Sequence, residues 1–308
     1  MKHLISHTSD QNDLLAKGLP AFKDLVALTK PKIGVMTLVV SLGSLALAPG
    51  SISFMYAAAT LTGIILLVSG ASSLNMYLER DIDGLMARTQ DRPLPSGRVH
   101  PTWALLVGMA CLLTGLQLLF TFGNPITLFL GVLAAFFYVL VYTPMKTASW
   151  WSLPVGAIPG AMPGLLGYSA VTGTLDGPAW VLFFVLWSWQ IPHTLAIWVY
   201  RQKEYENAGY AILSSQASSE TMVWAITGTS FAYILGTGLI WGVGFGGVIF
   251  ALVNLLCGIW YMAVVTGVKE HKTLNQWARR VFLGTLVHQT VIFLVLALDV
   301  GLHAMLPG

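Results

Sequence analysis

The chain has 308 residues, of which 56% are hydrophobic and only 9% charged, where a soluble domain carries about a quarter charged residues. That composition excludes an ordinary soluble protein. At about 20 apolar residues per crossing, the length accommodates about eight to ten membrane spans and leaves no room for a soluble domain. The net charge of +3 comes with no basic stripe interleaved with aromatics, so a nucleic-acid partner is excluded. Cys111 and Cys257 lie inside apolar runs with no C-x-x-C partner, which argues against a disulfide framework, a zinc site or a redox motif.

Residues 1–24 mix Lys2, Lys17 and Lys23 with Asp10, Asp13 and Asp24 and contain no uninterrupted apolar stretch. They read as a cytoplasmic tail and not as a secretory signal, and the acids argue against a mitochondrial transit peptide. From residue 25 to 308 the chain reads as one all-α transmembrane domain. Apolar runs predict nine transmembrane helices at 33–49, 54–78, 102–122, 126–142, 153–172, 178–200, 221–242, 246–266 and 281–300. Alternate connections are short and Gly-rich, and those between them (79–101, 143–152, 201–220 and 267–280) hold the charge. All sixteen Lys and Arg residues fall either before the first span or in those four loops. The positive-inside rule then makes the N-terminus and the charged loops cytoplasmic and puts the C-terminus outside. An acid-rich loop follows both the second and the sixth span, which hints at two related four-helix halves plus a ninth helix.

The second span closes on Asn75-Met-Tyr-Leu-Glu79-Arg-Asp81-Ile-Asp83, and Arg88, Asp91, Arg92, Pro93 and Arg98 follow. A helix continued to Gly84 would put Asn75, Glu79 and Asp83 on one face and turn Asp81 away. Like charges stacked every four residues repel, so the bland reading is a solvated, helix-ending cluster. The nearby arginines favour the sharper one: acids hold a divalent cation and cations meet phosphate. Magnesium suits that arrangement, since it takes one or two carboxylates together with substrate phosphates and water.

The loop after the fourth span, Tyr142-Thr143-Pro144-Met145-Lys146, places one lysine where helices converge, either as a topology anchor or as a phosphate contact. The run from Pro154 to Gly164 carries three prolines and three glycines at the head of the fifth span, which allows close helix approach or a bent tunnel wall. In the sixth span, Trp189-Gln190-Ile191-Pro192-His193 precedes Arg201-Gln202-Lys203-Glu204-Tyr205-Glu206. His193, Tyr200 and Glu204 would share a face, with His193 roughly 16 Å from Glu204 along the helix. An ionisable group at that depth is a functional candidate: an iron ligand for a porphyrin, a proton acceptor or a neutral packing imidazole. His288 reads as a packing residue. The remaining histidines (His3, His7, His100, His271 and His303) read as interfacial or tail residues.

With those residues in view, the chain resembles the UbiA-type membrane prenyltransferases, and within them the branch that modifies haem. The pattern N-x-x-x-[D/E]-x-D-x-D matches Asn75, Glu79, Asp81 and Asp83, and R-T-x-x-R-P matches Arg88, Thr89, Arg92 and Pro93. L-T-K-P matches Leu28 to Pro31, W-Q-x-P-H matches Trp189 to His193, and D-Y-x-x-A-G matches Glu204, Tyr205, Ala208 and Gly209. The resemblance implies a UbiA-type bundle in the bacterial plasma (inner) membrane with its active-site loops on the cytoplasmic side. It further implies Mg2+-assisted transfer of farnesyl from farnesyl diphosphate to a vinyl group of haem B, with room for a partner in terminal-oxidase biogenesis. Carried over, Asn75, Glu79, Asp83 and Glu204 handle magnesium and diphosphate. Arg88, Arg92, Tyr142, Lys146, Arg201 and Lys203 contact substrate, and His193 faces the porphyrin.

Two positions depart by an added methylene, Glu79 and Glu204 standing where Asp is usual. After Lys146, Thr147-Ala148-Ser149 replaces a stretch that carries Arg and Asn in the family, and only the hydroxyl of Ser149 is kept. Rival readings are a prenyltransferase acting on a quinone or chlorophyll precursor, a transporter, and a non-catalytic haem-binding membrane protein. A transporter predicts polar residues at the midplane in matched positions, whereas the apolar runs here read as almost wholly apolar between charged rims.

Overall fold

Helix starts in this chain are written by proline and by side-chain caps, and the computed structural model, which describes residues 19–305 and side chains to residue 300, follows them closely. The predicted tail at 1–24 lies largely outside the described residues. Helix α1 spans Phe22–Leu28, and α2 spans Pro31–Leu47 with proline at its first turn. Ser53 caps α3 (Phe54–Leu78) by accepting from the Tyr56 amide, and His100 precedes Pro101 at the start of α4 (Pro101–Phe122). Asn124 accepts from Thr127 to open α5 (Pro125–Phe136), which runs on through a π-helical stretch, Phe137–Tyr142, to Met145. Then come α6 (Ser152–Thr172), α7 (Gly177–Tyr200), the short α8 (Gln202–Asn207), α9 (Ser219–Gly242), α10 (Val248–Thr266) and α11 (Leu274–Met305). Among the described residues every regular element is a helix.

Seven of these helical segments are long and apolar enough to cross a membrane: α3, α4, α5 with its extension, α7, α9, α10 with its following turn, and α11. The pair α1 and α2, bent by 51°, makes eight if it is one span. The protein is therefore an integral membrane protein, with seven or eight such spans among the described residues instead of the expected nine. The difference lies at 153–172. That stretch does fold as a 21-residue helix, α6, but its prolines and glycines dilute its hydropathy.

Those small residues have another use, because α6 is the most enclosed helix, packed against α2, α5 and α7. Gly167 lies against the backbone carbonyl of Ser41 on α2, an approach that any Cβ would block. The helices form two four-membered rings, α3–α6 and α7 with α9–α11, joined along α6 and α7, with α2 laid against α6 and α3. The two four-membered halves fit the recurrence seen in the sequence, but the extra helix is α2, at the start of the chain, and not a ninth one at the far end. Within the first ring, α3 and α4 touch backbone to backbone: a Cβ on Gly70 would sit 2.6 Å from the Gly108 carbonyl oxygen.

All four charged loops predicted from the sequence contain helical turns. α11 begins at Leu274, not near 281, because Trp277, Ala278 and Val281 present a fully buried stripe beneath Arg279 and Arg280. Charge alone made that amphipathic start read as loop. The interior of the second ring also departs from an apolar midplane. Tyr233 bonds His288 at 2.8 Å and donates to Gln289 at 2.6 Å, and Ser230 bonds Tyr261 at 2.9 Å. His288 is thus the packing residue expected, held inside a buried polar column.

Candidate active site

The amide of Glu79 bonds the Asn75 carbonyl at 2.9 Å, and the amide of Asp83 bonds the Glu79 carbonyl at 2.8 Å. The helical repeat therefore survives the break after Leu78, and Asn75, Glu79 and Asp83 stand on one buried face. Asp81 points to solvent, its side chain 88% exposed.

Each member of the face has a cationic partner. Lys30 Nζ donates to Asn75 Oδ1 at 2.6 Å, Lys146 Nζ to Glu79 Oε1 at 2.6 Å, and Arg92 to Asp83 Oδ2 at 2.6 Å. Asn75 is fixed from its other end by Nδ2, which donates to Thr143 Oγ1 at 2.9 Å. Lys30 occupies the break between α1 and α2 with φ of 49°, the only non-glycine residue with positive φ among those described. A lysine in that region, directly before a proline, is strained by about 1–3 kcal/mol. The surrounding contacts hold it there with its ammonium aimed at Asn75.

The turn after Asp83 is tied down by Thr89 Oγ1, which donates to the Asp83 carbonyl at 2.7 Å, and by Arg98, which bonds Asp24 of α1 at 3.0 Å. This fold carries Arg88 across to the second acidic loop. There the guanidinium donates to the Tyr205 hydroxyl at 3.1 Å and lies 3.8 Å from Glu204 Oε1. The loop after α5 joins the same assembly, since the Ala211 amide donates to the Lys146 carbonyl at 2.9 Å. Between these groups lies a cavity of about 130 Å³ lined by Arg88, Tyr142, Lys146, Gln190, Tyr205 and Tyr210. Tyr142 closes over Gly156 of α6, where no larger side chain would leave room for its ring, and the Lys146 ammonium sits 4.5 Å from the centre of that ring.

The structure thus brings together Asn75, Glu79, Asp83, Arg88, Arg92, Tyr142, Lys146 and Glu204, the acids closing α3 and following α7 being linked through Arg88. His193, Arg201 and Lys203 stand elsewhere. α7 turns Gln190, Thr194 and Trp198 toward the cavity, and turns His193 and Tyr200 toward Phe282 of α11, at ring distances of 4.7 and 5.7 Å. Arg201 and Lys203 line an outer groove instead. Sequence reasoning passed over Lys30, Thr143, Tyr210 and Tyr138, whose hydroxyl donates to Asn75 Oδ1 at 3.4 Å. The signal for Lys30 is present in the L-T-K-P match, which by itself gives the lysine no role. Ser149 spends its hydroxyl on the local turn, accepting from the Trp151 amide at 3.2 Å.

Burial works against the Lys146 ammonium, but Tyr142 and the directly bonded Glu79 carboxylate outweigh it and hold its pKa above the usual lysine range. Lys30, Arg88, Arg92 and Lys146 face Glu79, Asp83 and Glu204, so the site has more cations than acids and favours an added anion.

A hard cation fits the donor set. Asn75, Glu79, Asp83 and Glu204 offer only oxygen, and Glu204 Oε1 is buried without a hydrogen-bond donor. Among the described residues no three His, Cys, Asp or Glu side chains converge as a ready-made metal cage. An ion held here would share its coordination with substrate oxygens, as magnesium does.

A helical membrane bundle with acids and cations gathered on its rim around one small cavity defines a class: a membrane protein built for a substrate with a charged head and an apolar tail. Residues 36–286 match the model of the UbiA prenyltransferase family. A protoheme IX farnesyltransferase of Anaeromyxobacter dehalogenans is 39% identical over 283 residues, covering 91% of this chain and 95% of that one. One from Sorangium cellulosum is 42% identical over 240 residues, or 78% and 85% of the two chains. Among solved structures, a digeranylgeranylglyceryl phosphate synthase shares the fold with a TM-score of 0.77 at 16% identity, over 90% of this chain and 98% of that one. A UbiA homolog from Archaeoglobus fulgidus bound to DMAPP and Mg2+ gives a TM-score of 0.63 at 15% identity, over 87% and 99%. This chain belongs to the UbiA prenyltransferase family.

Proposed function

We propose that the chain is a membrane prenyltransferase that moves a farnesyl group from farnesyl diphosphate to a vinyl group of protohaem IX (haem B), giving haem O. The relatives named for that reaction cover nearly the whole chain. One geometric observation supports the reading above the others: Arg88 spans the two acidic loops, pairing with Glu204 beside the cluster of Asn75, Glu79, Asp83 and their cations.

The chemistry follows from charge. The allylic C–O bond breaks as negative charge builds on the departing diphosphate, and Lys30, Arg88, Arg92 and Lys146 are already oriented toward that charge. A magnesium ion bound there would neutralise part of the same charge. Asn75, Glu79, Asp83 and Glu204 are the residues proposed to hold it. The vinyl π electrons form the new C–C bond, and water adds to the resulting cation and releases one proton. The close packing of α6 on α7 limits bulk water at the allylic cation before it reacts, and the bilayer accommodates the isoprenoid tail.

The topology proposed with this reading has nine spans, α6 and the bent α1–α2 pair being counted as two of them. The charged rim then faces the cytoplasm of a bacterial inner membrane, and the C-terminus lies on the far side. Purified protein incubated with haem B, Mg2+ and farnesyl diphosphate should yield a porphyrin heavier by one farnesyl group and one hydroxyl group, read by mass spectrometry. Unchanged haem, with prenylation of a phenolic acceptor in its place, would refute the assignment.

A further inference from the structure

We propose that the groove between α7–α8 and the start of α11 seats the acceptor, with Arg279 and Lys203 holding the carboxylates of a planar, metal-bearing tetrapyrrole. This rests on the haem reading above and adds the place and the residues that recognise the acceptor.

The groove measures about 970 Å³, and its walls include Tyr200, Arg201, Lys203, Arg279, Phe282 and Leu283. Its charges divide into used and unused. Arg201 is bonded to Glu204 at 2.8 Å, and Glu206 is held by Gln202 at 2.7 Å. Among the described residues, neither Lys203 nor Arg279 has a carboxylate within ion-pair range. They approach from opposite walls, one on α8 and one on α11, so the free positive charge suits a ligand with two acidic arms.

Below the cations the wall is aromatic. Trp189 and His193 lie 4.8 Å apart, His193 and Phe282 4.7 Å, and Phe282 and Tyr200 5.7 Å. Tyr200 and Phe282 line the groove and offer it aromatic area, and His193 and Trp189 continue the stack behind them along the α7–α11 seam, about 16 Å for the eleven helical residues from Tyr200 to Trp189.

A second observation points to a metal in that macrocycle. Thr285 Oγ1 lies 2.7 Å from the Phe282 carbonyl and 2.8 Å from His193 Nδ1. The hydroxyl has one proton, and the carbonyl can only accept it. Nδ1 must therefore carry the imidazole proton and donate to Thr285, which leaves Nε2 with a free lone pair, the form in which histidine ligates iron.

The groove also opens where it must. Glu204 lines it and pairs with Arg88 of the diphosphate cavity at 3.8 Å, so an acceptor seated here borders the donor at that one residue.

The test uses the full-length enzyme in detergent, with binding followed by the absorption shift of ferric haem and turnover followed separately. Wild type should bind haem B about tenfold more tightly than its dimethyl ester, which has the same macrocycle without carboxylates. In the double variant Lys203→Gln/Arg279→Gln the two should bind equally weakly, with the KM for farnesyl diphosphate unchanged. Arg279→Lys should retain most of the preference, and His193→Ala should lose the absorption shift of histidine ligation while retaining the preference for haem over its ester. Equal affinity of wild type for haem and ester, or a variant that alters the KM for farnesyl diphosphate and not haem affinity, overturns the proposal. A wild type that binds haem with this preference yet never prenylates it supports the groove and removes the functional reading instead.

Discussion

α3 and α7 each lead into an acid-rich turn on the same charged rim, and the two turns are built differently. After α3 the carboxylates are folded inward: the side chains of Glu79 and Asp83 are 5% and 2% exposed, and each is bonded to its own cation. After α7 only Glu204 turns inward, at 19% exposure, while Lys203 and Glu206 remain on the surface. The first turn is locked by long-range contacts, Lys30 from α1–α2, Lys146 from α5 and Arg98 to Asp24. The second is a single turn of helix tied to the first mainly through Arg88. A buried ion pair contributes little net stability, but an unpaired buried charge costs about 3–5 kcal/mol. The α3 turn therefore works as a fixed charge template, and the α7 turn as an adjustable arm that brings one carboxylate to it.

That contrast predicts its largest effect at Asp83. Asp83→Asn removes a template charge and keeps its shape, and turnover should fall by about 10²–10³-fold, while expression holds because Arg92, 27% exposed, keeps water and the amide oxygen as partners. Retention of more than half the activity would remove Asp83 from the site. Asp81→Asn, on the solvent side of the same turn, should change turnover by less than about twofold, since exposed positions away from special contacts contribute little. Should Glu204→Gln lose as much as Asp83→Asn, the distinction between template and arm fails.

Lys30 comes next. Lys30→Met should raise the KM for farnesyl diphosphate about 10- to 100-fold, the value of a charge-assisted hydrogen bond of about 1.5–3 kcal/mol. Haem affinity, read by absorption, should not move. The variant also separates template from tail: an equal loss in both substrates would mean that Lys30 holds the fold and not the head group.

Lys30 shows where the sequence was legible and where it was not. The shared face of Asn75, Glu79 and Asp83, and the outward Asp81, follow from helical periodicity alone, which needs only local information. So does the common face of His193 and Tyr200. What those faces meet depends on chain folding: Lys30 is 45 residues from Asn75, and Lys146 is 67 from Glu79. No spacing rule connects such pairs, and the family match named Lys30 without a role. The division into two rings was visible in the recurrence of acidic loops. The enclosed position of α6 was not, because a helix lined by small residues reads as a weaker span just where it is most buried. The start of α11 was hidden for the opposite reason, since exposed charges masked the buried stripe of Trp277, Ala278 and Val281.

Arg88 carries the link between the two turns, so its replacement should cost less than a template charge and more than a surface one. Arg88→Lys keeps the positive charge but loses the fork that meets Tyr205 and Glu204 together. A fall in turnover of about 5- to 10-fold is expected, with a further fall in Arg88→Gln. If Arg88→Lys is indistinguishable from wild type, the arm is positioned by other contacts, with the Ala211 amide on the Lys146 carbonyl as the next to test.

The smallest effect should be at Glu206, two residues from Glu204 and on the same short helix. Its carboxylate is held below the usual range, first by the hydrogen bond from Gln202 and then by Ser215, so it is ionised throughout the neutral range, and its partners are confined to its own helix and the nearby turn at Ser215. Glu206→Gln should therefore leave turnover within about twofold and leave the pH profile between 6 and 8, roughly the neutral span where free histidines titrate, unchanged in shape. The substitution still removes one negative charge from the outer groove, where Lys203 and Arg279 are proposed to meet the acceptor's carboxylates. Haem affinity should rise slightly or stay level as that repulsion is relieved. A fall in haem affinity would mean that Glu206 orients the groove instead of opposing its ligand, and the arm would then extend one turn further than Glu204.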